Sequence, residues 1–323
     1  MYNLYHIESP FQLLSAMSAL KVFNQNKSIL IIDLSSGKRS GNDEQILSLL
    51  DDRWDHVIVN RKKKGLLKIF SLIRDVIKYK SIYGGRIDKY FIGEYRNFNM
   101  ALLRSAINPK EEILLDDGAY TIIAQSRYIR NNIFPYSHAL KYKLFKSFLK
   151  NLKTPNLYSS FDLTLGLIDG QINYFQFPKK KDIKIDVGNV FFFGSKLSET
   201  KNILLSDELS ILEKVNSHYE GYNVFYIPHR DESPDKLDKI SHLGYTIKKL
   251  GKPAEVFFDE TEIMPELVLS YYSTVIYTCY IRFNNVNLKS INIGKKILKK
   301  KTRDGAKEVY KYYEELGIGI LDV

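Results

Sequence analysis

The stretch Glu111 to Tyr120, EEILLDDGAY, decides how the rest of the chain is read. Three apolar residues, Ile113 to Leu115, are too few for a helix and spell a short buried strand. Two carboxylates, Asp116 and Asp117, follow at once, then Gly118, and a helical pattern begins at Ala119. Charges at the C-terminal end of a strand stand where open α/β sheets hold their ligands, because the loops there line the crevice between strand tips and helix N-termini. Either the two aspartates cap the coming helix, or one of them does chemistry.

Working outward, the same alternation recurs on both sides. YNLYHI (2–7) reads as a strand. In SPFQLLSAMSALKVF (9–23), Ser9 is the expected N-cap, Pro10 the favoured first helical residue, and Gln12 stands where a capping-box partner belongs. Then come SILIIDL (28–34) as strand, DEQILSLLDD (43–52) as helix, DHVIVN (55–60) as strand, GLLKIFSLIRDVIKY (65–79) as helix and DKYFIGE (88–94) as strand. FNMALLRSAI (98–107) leads back to the opening stretch. Strands alternating with helices predict a doubly wound, mostly parallel sheet.

The charged, proline-containing segment FPKKKDIKIDVG (177–188) precedes a fresh apolar run, NVFFFGS, and marks the expected domain boundary. Beyond it, LSDELSILEKVNSHY (205–219) reads as helix, YNVFYIP (222–228) as strand and PDKLDKISHLGYTIKKL (234–250) as helix. AEVFF (254–258) reads as strand and MPELVLSYY (264–272) as a short helix. The expectation is two consecutive α/β domains, 1–180 and 188–323, facing a central cleft, with the C-terminal helix available to pack back on the first domain.

Composition narrows the function classes. Hydrophobic residues at 44% and charged residues at 26% are ordinary for a globular chain. Cys279 is the only cysteine, so an intrachain disulfide and a multi-cysteine metal site are excluded, and a reducing, cytoplasmic setting fits. No basic segment followed by a long apolar one opens the sequence, and no stretch approaches the roughly 18 apolar residues of a membrane span. The formal charge of +11 is concentrated in RKKK at Arg61, KKK at Lys179 and KKILKKK at Lys295. Such runs are most often solvated faces; the functional reading is attraction to polyanions or peripheral contact with an anionic membrane. No stacking motif or zinc-finger spacing accompanies them, so nucleic acid is not expected as a partner.

The strand YNVFYIP ends in Pro228, His229, Arg230, Asp231 and Glu232, repeating the pattern of apolar strand, ionisable residues, then helix. Taken alone, a loop histidine with DES supplying the next cap is the commoner situation. HRD also occurs in the protein-kinase catalytic loop, but the asparagine required five residues on is Lys236, and no glycine-rich loop or Asp-Phe-Gly is present. Neither a P-loop nor a Gly-x-Gly-x-x-Gly turn occurs. The six histidines, at 6, 56, 138, 218, 229 and 242, show no metal-ligand spacing, so no metal is expected. A third cluster, IMPELVLSYYSTVIYT (263–278), holds Glu266, Ser273 and Thr274. Hydroxyls suit a phosphate and a carboxylate suits a ribose, although Glu266 equally improves a helix start, and STVIYT reads locally as strand.

In this order, SPFQLL, LLDDG, FFFGS, IPHR, MPEL and YYST resemble the bacterial sialyltransferases of the GT-B fold. The pattern is most similar to glycosyltransferase family 52 and its relatives, which make capsule and lipooligosaccharide sialic acid caps. The resemblance implies two Rossmann-like domains, the first on the acceptor side with the general base, the second on the side of the donor, CMP-sialic acid. It implies Asp117 as the base that takes a proton from an acceptor sugar hydroxyl, with Asp116, Gly118, Ser9 and Gln12 supporting it or facing the acceptor. It implies His229 and the pair Ser273 and Thr274 on the CMP phosphate, Glu266 on the cytidine ribose, and Gly194 and Ser195 beside the donor. Where relatives place proline after the histidine, Pro228 precedes His229 here and Arg230 follows, adding a positive charge for the donor. No metal or other cofactor is implied. Other nucleotide sugars on the same fold, and a non-catalytic polyanion-binding or membrane-surface role, remain the rival expectations.

Overall fold

The computed structural model describes residues 1–35, 37, 39–61, 67–135, 143, 145–175 and 180–323, with 67–70 described in backbone only. The chain divides into two compact units, Met1–Gln176 and Phe177–Val323.

The first unit runs β1 (Tyr2–Ile7), α1 (Pro10–Val22), β2 (Lys27–Leu34), α2 (Ser40–Ser48), β3 (His56–Arg61), α3 (Leu67–Tyr83), β4 (Ile87–Ile92), α4 (Phe98–Ile107), β5 (Glu111–Leu115), α5 (Tyr120–Ala124), β6 (Asn156–Ser159) and β7 (Asn173–Phe175). Its seven strands lie in the order β3-β2-β1-β4-β5-β6-β7, and every pairing is parallel. A parallel sheet covered by helices on both faces buries its strands on both sides. Tyr5 and Ile7 accordingly pack with Leu13, Ala16 and Phe91 in one core, while Leu4 and His6 lie buried on the other face.

The second unit runs β8 (Lys184–Phe193), α6 (Leu205–His218), β9 (Asn223–Ile227), α7 (Pro234–Ser241), β10 (Thr246–Ile247), α8 (Ala254–Glu260), β11 (Ile263–Ser270), α9 (Thr274–Arg282), β12 (Asn287–Asn292), α10 (Lys300–Glu315) and β13 (Gly319–Asp322). Its strand order is β10-β9-β8-β11-β12-β13, again parallel throughout. Ala306 and Tyr310 of α10 pack into this unit's own core. In both sheets the order reverses between the first strand and the fourth, at β1/β4 and at β8/β11. At such a reversal the following helices leave on opposite faces and open the crevice that binds ligands.

Helix starts follow the chemistry expected of them. Ser9 caps α1 and accepts from the Gln12 amide, and Ser233 caps α7 and accepts from the Lys236 amide. Four elements of the second unit differ from the sequence reading. The helix expected over 234–250 ends at Ser241, and Gly244 at φ +92° turns the chain into β10. AEVFF lies in α8, MPELVLS is β11, and STVIYT opens α9. A five-residue apolar run has no period long enough to separate strand from helix. In α8 the first turn is set by Pro253, and Phe258 is the buried anchor. β11 is a central strand, and Pro265 is accommodated where its register against β8 shifts. In α9, burial of Val275, Ile276, Tyr277, Cys279 and Ile281 overrides the strand propensity of its β-branched residues. Ser273 is its N-cap, accepting from the Val275 amide. Ser273→Ala should therefore cost about 1 kcal/mol, seen as a fall of roughly 2–4 °C in the melting temperature. An unchanged melting temperature would remove the cap from the account.

Candidate functional site

The loop after β5 settles what the two aspartates do. The N-cap position of α5 is Ala119, and no side chain caps that helix. Asp116 is instead buried beneath the loop, where its carboxylate accepts from Ser159 Oγ (2.6 Å), the Ser160 amide (2.8 Å) and Ser160 Oγ (2.9 Å). Burial raises its carboxyl above the usual range while these donors oppose the shift. Its role is to fix the loop to β6. Gly118, at φ +61°, turns the chain through a conformation other residues rarely adopt.

Asp117 faces the switch point between β1 and β4. Gln12 Nε2 donates to its Oδ1 at 2.7 Å, and Arg96 Nη2 donates to Oδ2 at 3.2 Å. The Gln12 amide is oriented from behind, since its Oε1 accepts from the Glu8 amide at 2.8 Å. Gln12 thus reaches past the expected capping-box contact with Ser9 and becomes a strut between α1 and the β5 loop. Gly93 makes room for it: a Cβ there would stand 2.6 Å from Gln12 Oε1.

Two residues that the sequence did not single out complete the cluster. Arg96 binds Glu94 through Nε at 2.8 Å and Nη2 at 2.5 Å, and its guanidinium lies 3.6 Å from the Tyr120 ring centroid. Glu94 also shares a side-chain hydrogen bond with Asp117. Burial first, and the neighbouring Glu94 charge second, push the Asp117 carboxyl up to about 8, against the pull of Arg96 and Gln12. Two carboxyls that share a site cannot both ionise easily. The signal was present in FIGEYRN: β4, like β5, ends in ionisable residues.

In the second unit the switch point is flanked by the loop after β8, carrying Gly194 and Ser195, and by the start of α9 after β11, where Ser273 is the N-cap and Thr274 the first helical residue. Ser270 Oγ donates to the Phe193 carbonyl at 2.7 Å and ties the two strands together there. Gly194 is required by close approach, because a Cβ would stand 2.2 Å from the Tyr226 hydroxyl. The Ser273 carbonyl accepts from the Tyr313 hydroxyl at 2.8 Å, fixing the entry to α9. His229 and Arg230 follow β9, the strand beside β8. His229 Nδ1 accepts from the Asp231 amide at 3.1 Å, which leaves Nε2 to carry the ring proton as a donor.

Glu266 is not part of this group. It lies within β11, four residues before the strand's end and so roughly 13 Å from the tip. Its carboxylate accepts from the Gly188 amide at 2.9 Å and the Tyr222 hydroxyl at 3.5 Å. The ribose contact is what the resemblance implies for Glu266, and the competing expectation, a carboxylate that improves a helix start, is corrected because the segment is a strand. The sequence-predicted residues therefore gather as Ser9, Gln12, Asp116, Asp117 and Gly118 in the first unit, and as Gly194, Ser195, His229, Arg230, Ser273 and Thr274 around the strand ends of the second.

Among the described residues, no group of three or more His, Cys, Asp or Glu could hold a metal ion. No described helix is long and apolar enough to cross a membrane. Of the lysine runs, Lys179 and residues 62–64 lie outside the described residues. Lys180 stands 4.1 Å from the Tyr280 ring centroid, and Lys296 pairs with Asp207 at 2.8 Å.

No protein-family model matches the chain, and no curated protein sequence does. Solved structures match over nearly all of it. A Photobacterium sp. JT-ISH-224 2,6-sialyltransferase, in a ternary complex with CMP and lactose, is 12% identical with a TM-score of 0.55, covering 99% of this chain and 78% of that one. The α/β-galactoside α-2,3-sialyltransferase of Photobacterium phosphoreum is 12% identical with a TM-score of 0.50, covering 99% and 98%. TcCGT1 in complex with UDP is 10% identical with a TM-score of 0.51, covering 100% and 85%. The fold is GT-B. At these identities the likeness is one of architecture, and GT-B proteins with different nucleotides share it. Within a GT-B chain, both clusters described above stand at strand C-termini beside a switch point, the position that the fold reserves for ligands.

Proposed function

We propose that this chain is an inverting, metal-independent sialyltransferase that moves sialic acid from CMP-sialic acid to a terminal sugar hydroxyl, a galactoside, of a bacterial surface glycan. The observation that carries the reading is the placement of Asp117. It caps no helix, stands at a strand end beside the switch point, and is held by Gln12, Arg96 and Glu94. The choice of donor rests on the succession of motifs that resembles the bacterial sialyltransferases.

In this reaction the acceptor hydroxyl attacks the anomeric carbon, its proton passes to the Asp117 carboxylate, and the bond from that carbon to the phosphate oxygen breaks, CMP leaving with the electron pair. One displacement inverts the anomeric centre. His229, through Nε2, and the hydroxyls of Ser273 and Thr274 are the groups that stabilise the departing phosphate, with Arg230 adding positive charge. His229→Ala should lower turnover about a hundredfold and also weaken CMP binding. The lysine-rich surface suits a cytoplasmic enzyme working against the anionic inner face of a membrane.

The test is CMP release from CMP-sialic acid with and without lactose and without added metal. Acceptor-dependent release supports donor and reaction together. Stabilisation by UDP or GDP but not by CMP would move the chain to another donor.

The base must be ionised to act, so transfer should rise with pH along a limb set by Asp117 near 8. Removing the like charge in Glu94→Gln lowers that pKa and frees Arg96 for Asp117, so the limb should move about one unit or more toward acid. At pH 6 the variant is then faster than wild type. A limb that stays put, or moves to higher pH, excludes Glu94 as the group that holds the proton on Asp117.

A further inference from the structure

A second polar site lies in the first unit, on the sheet face opposite the core that contains Tyr5 and Ile7. His6, Asp33 and Asn60 are the penultimate residues of three neighbouring strands, β1, β2 and β3. His6 Nε2 stands 3.3 Å from Asp33 Oδ2, and His6 Nδ1 stands 2.7 Å from the Tyr90 hydroxyl. Asn60 Nδ2 donates to Asp33 Oδ1 at 3.2 Å, and the Tyr79 hydroxyl donates to Asn60 Oδ1 at 3.2 Å. His6 is only 3% exposed, and its Nε2 has no partner at hydrogen-bonding geometry.

A buried chain of polar side chains across a parallel sheet is costly, and apolar β-branched residues would serve the sheet better. Its position near the strand C-termini is where α/β sheets bind ligands. The chain also forms the floor of a cavity. With His6, Asp33 and Asn60, the walls are Arg61, Ser71, Asp75 and Tyr79 from β3 and α3, and Asn99 from α4. The volume is about 70 Å³, room for on the order of five waters. The lining mixes two carboxylates with an arginine and a histidine, adds two carboxamides, the Ser71 hydroxyl and the Tyr79 phenol, and includes the apolar side chains of Leu72, Val76 and Leu103, a mixture that suits the hydroxyls and C–H faces of a sugar. That set offers donors and acceptors to a neutral polyol and no concentrated positive charge for a phosphate.

We propose that this pocket binds one neutral sugar ring of the glycan acceptor, an inner residue rather than the one that receives sialic acid. The inference rests on the transferase reading for the word acceptor, and on the cavity for the sugar. β2 lies three strands from β5, about 14 Å along the sheet edge, so a glycan whose terminal hydroxyl meets Asp117 reaches the pocket with an inner unit.

The experiment compares lactose with a linear tetrasaccharide that ends in galactose, by saturation-transfer NMR and titration of the full chain without donor, with CMP titrated separately. Wild type should bind the tetrasaccharide at least tenfold more tightly than lactose. Asn99→Phe, which fills the cavity from α4, and Asp75→Asn, which alters its wall, should abolish that advantage while CMP affinity stays as in wild type. Equal affinity of wild type for the two glycans overturns the proposal. So does an undiminished tetrasaccharide advantage in Asn99→Phe folded to the wild-type melting temperature, since the polar chain is then structural only. If CMP fails to bind while the tetrasaccharide advantage appears and is lost in the variants, the donor reading falls and the pocket stands.

Discussion

Asp117→Asn is expected to lower acceptor-dependent transfer about a thousandfold, within the usual range for loss of a general base, while CMP still protects the protein against heating. The substitution keeps the shape of the site. The introduced carboxamide can still accept from Gln12 through its oxygen and donate to Glu94 through its nitrogen; it gives up the bond from Arg96 Nη2, but Arg96 stays held by Glu94 and the loop by Asp116. What disappears is the capacity to take a proton. A stability signature separates this from a folding defect. The folded pKa of Asp117 is raised to about 8 from an ordinary 3.8, so the native state holds the proton more tightly than the unfolded chain does. The contribution of that group to stability is full below the unfolded value and is lost as pH rises through the folded one. The carboxamide has no charge to gain. The variant's melting temperature should therefore match wild type near pH 4, exceed it by a margin that grows up to about pH 8, and stay above it at pH 9, the trade of stability for function seen at active sites. Full transfer in the variant would show that another group is the base; a lower melting temperature at pH 9 would show that the carboxylate is not under strain.

The parts legible in the sequence were those whose signal is local. Ser9 and Pro10 announce α1 because a cap acts within one turn, and the reversal from LL to DDG marks the end of β5 because a buried strand cannot continue through two charges. The β11 segment was misread because MPELVLS carries no period, and pairing with β8 and β12 decides its state. Glu266 marks a different limit: its ribose role is implied by the resemblance alone, and the strand turns its carboxylate to the Gly188 amide and the Tyr222 hydroxyl. Gln12 carries two expectations, a capping box with Ser9 from its spacing and support of Asp117 from the resemblance, and its side chain makes the second contact. Its capping position is fixed by sequence spacing, whereas its contact with Asp117 spans 105 residues. Glu94 and Arg96 were passed over because β4 was read only as a strand, although its end obeys the rule that made the β5 end informative. The His6, Asp33 and Asn60 chain needed the parallel register, which brings penultimate positions of three separate strands side by side.

Lys236 shows the same limit, and its replacement should give the largest loss of stability. In the sequence it is only the residue that rejects a kinase motif; in the fold its ammonium is buried under the Ser195 loop. It donates to the Ser195 carbonyl at 2.9 Å and to Glu208 Oε1 at 2.6 Å, and lies 3.4 Å from Glu199 and 3.5 Å from Glu232. Glu208 and Glu232 have fully buried side chains. Burial, more than the neighbouring carboxylates, pushes Glu232 up to about 7, against the pull of Lys236. Lys236→Met fits the volume but leaves buried carboxylates without their cation, and breaking a buried pair from one side costs about 3–5 kcal/mol. That is roughly 10 °C in the melting temperature of a unit this size. Without the lysine, the Glu232 pKa rises further. Because a raised carboxyl stabilises the fold only while protonated, the deficit should be smallest near pH 5 and grow as pH rises. Adding Glu208→Gln removes one stranded charge and should recover part of the loss, since both partners of the pair are then neutral. A Lys236→Met protein as stable as wild type at pH 8, or a double variant worse than the single, would mean that the ammonium is not what holds the Ser195 loop and the start of α7 in place.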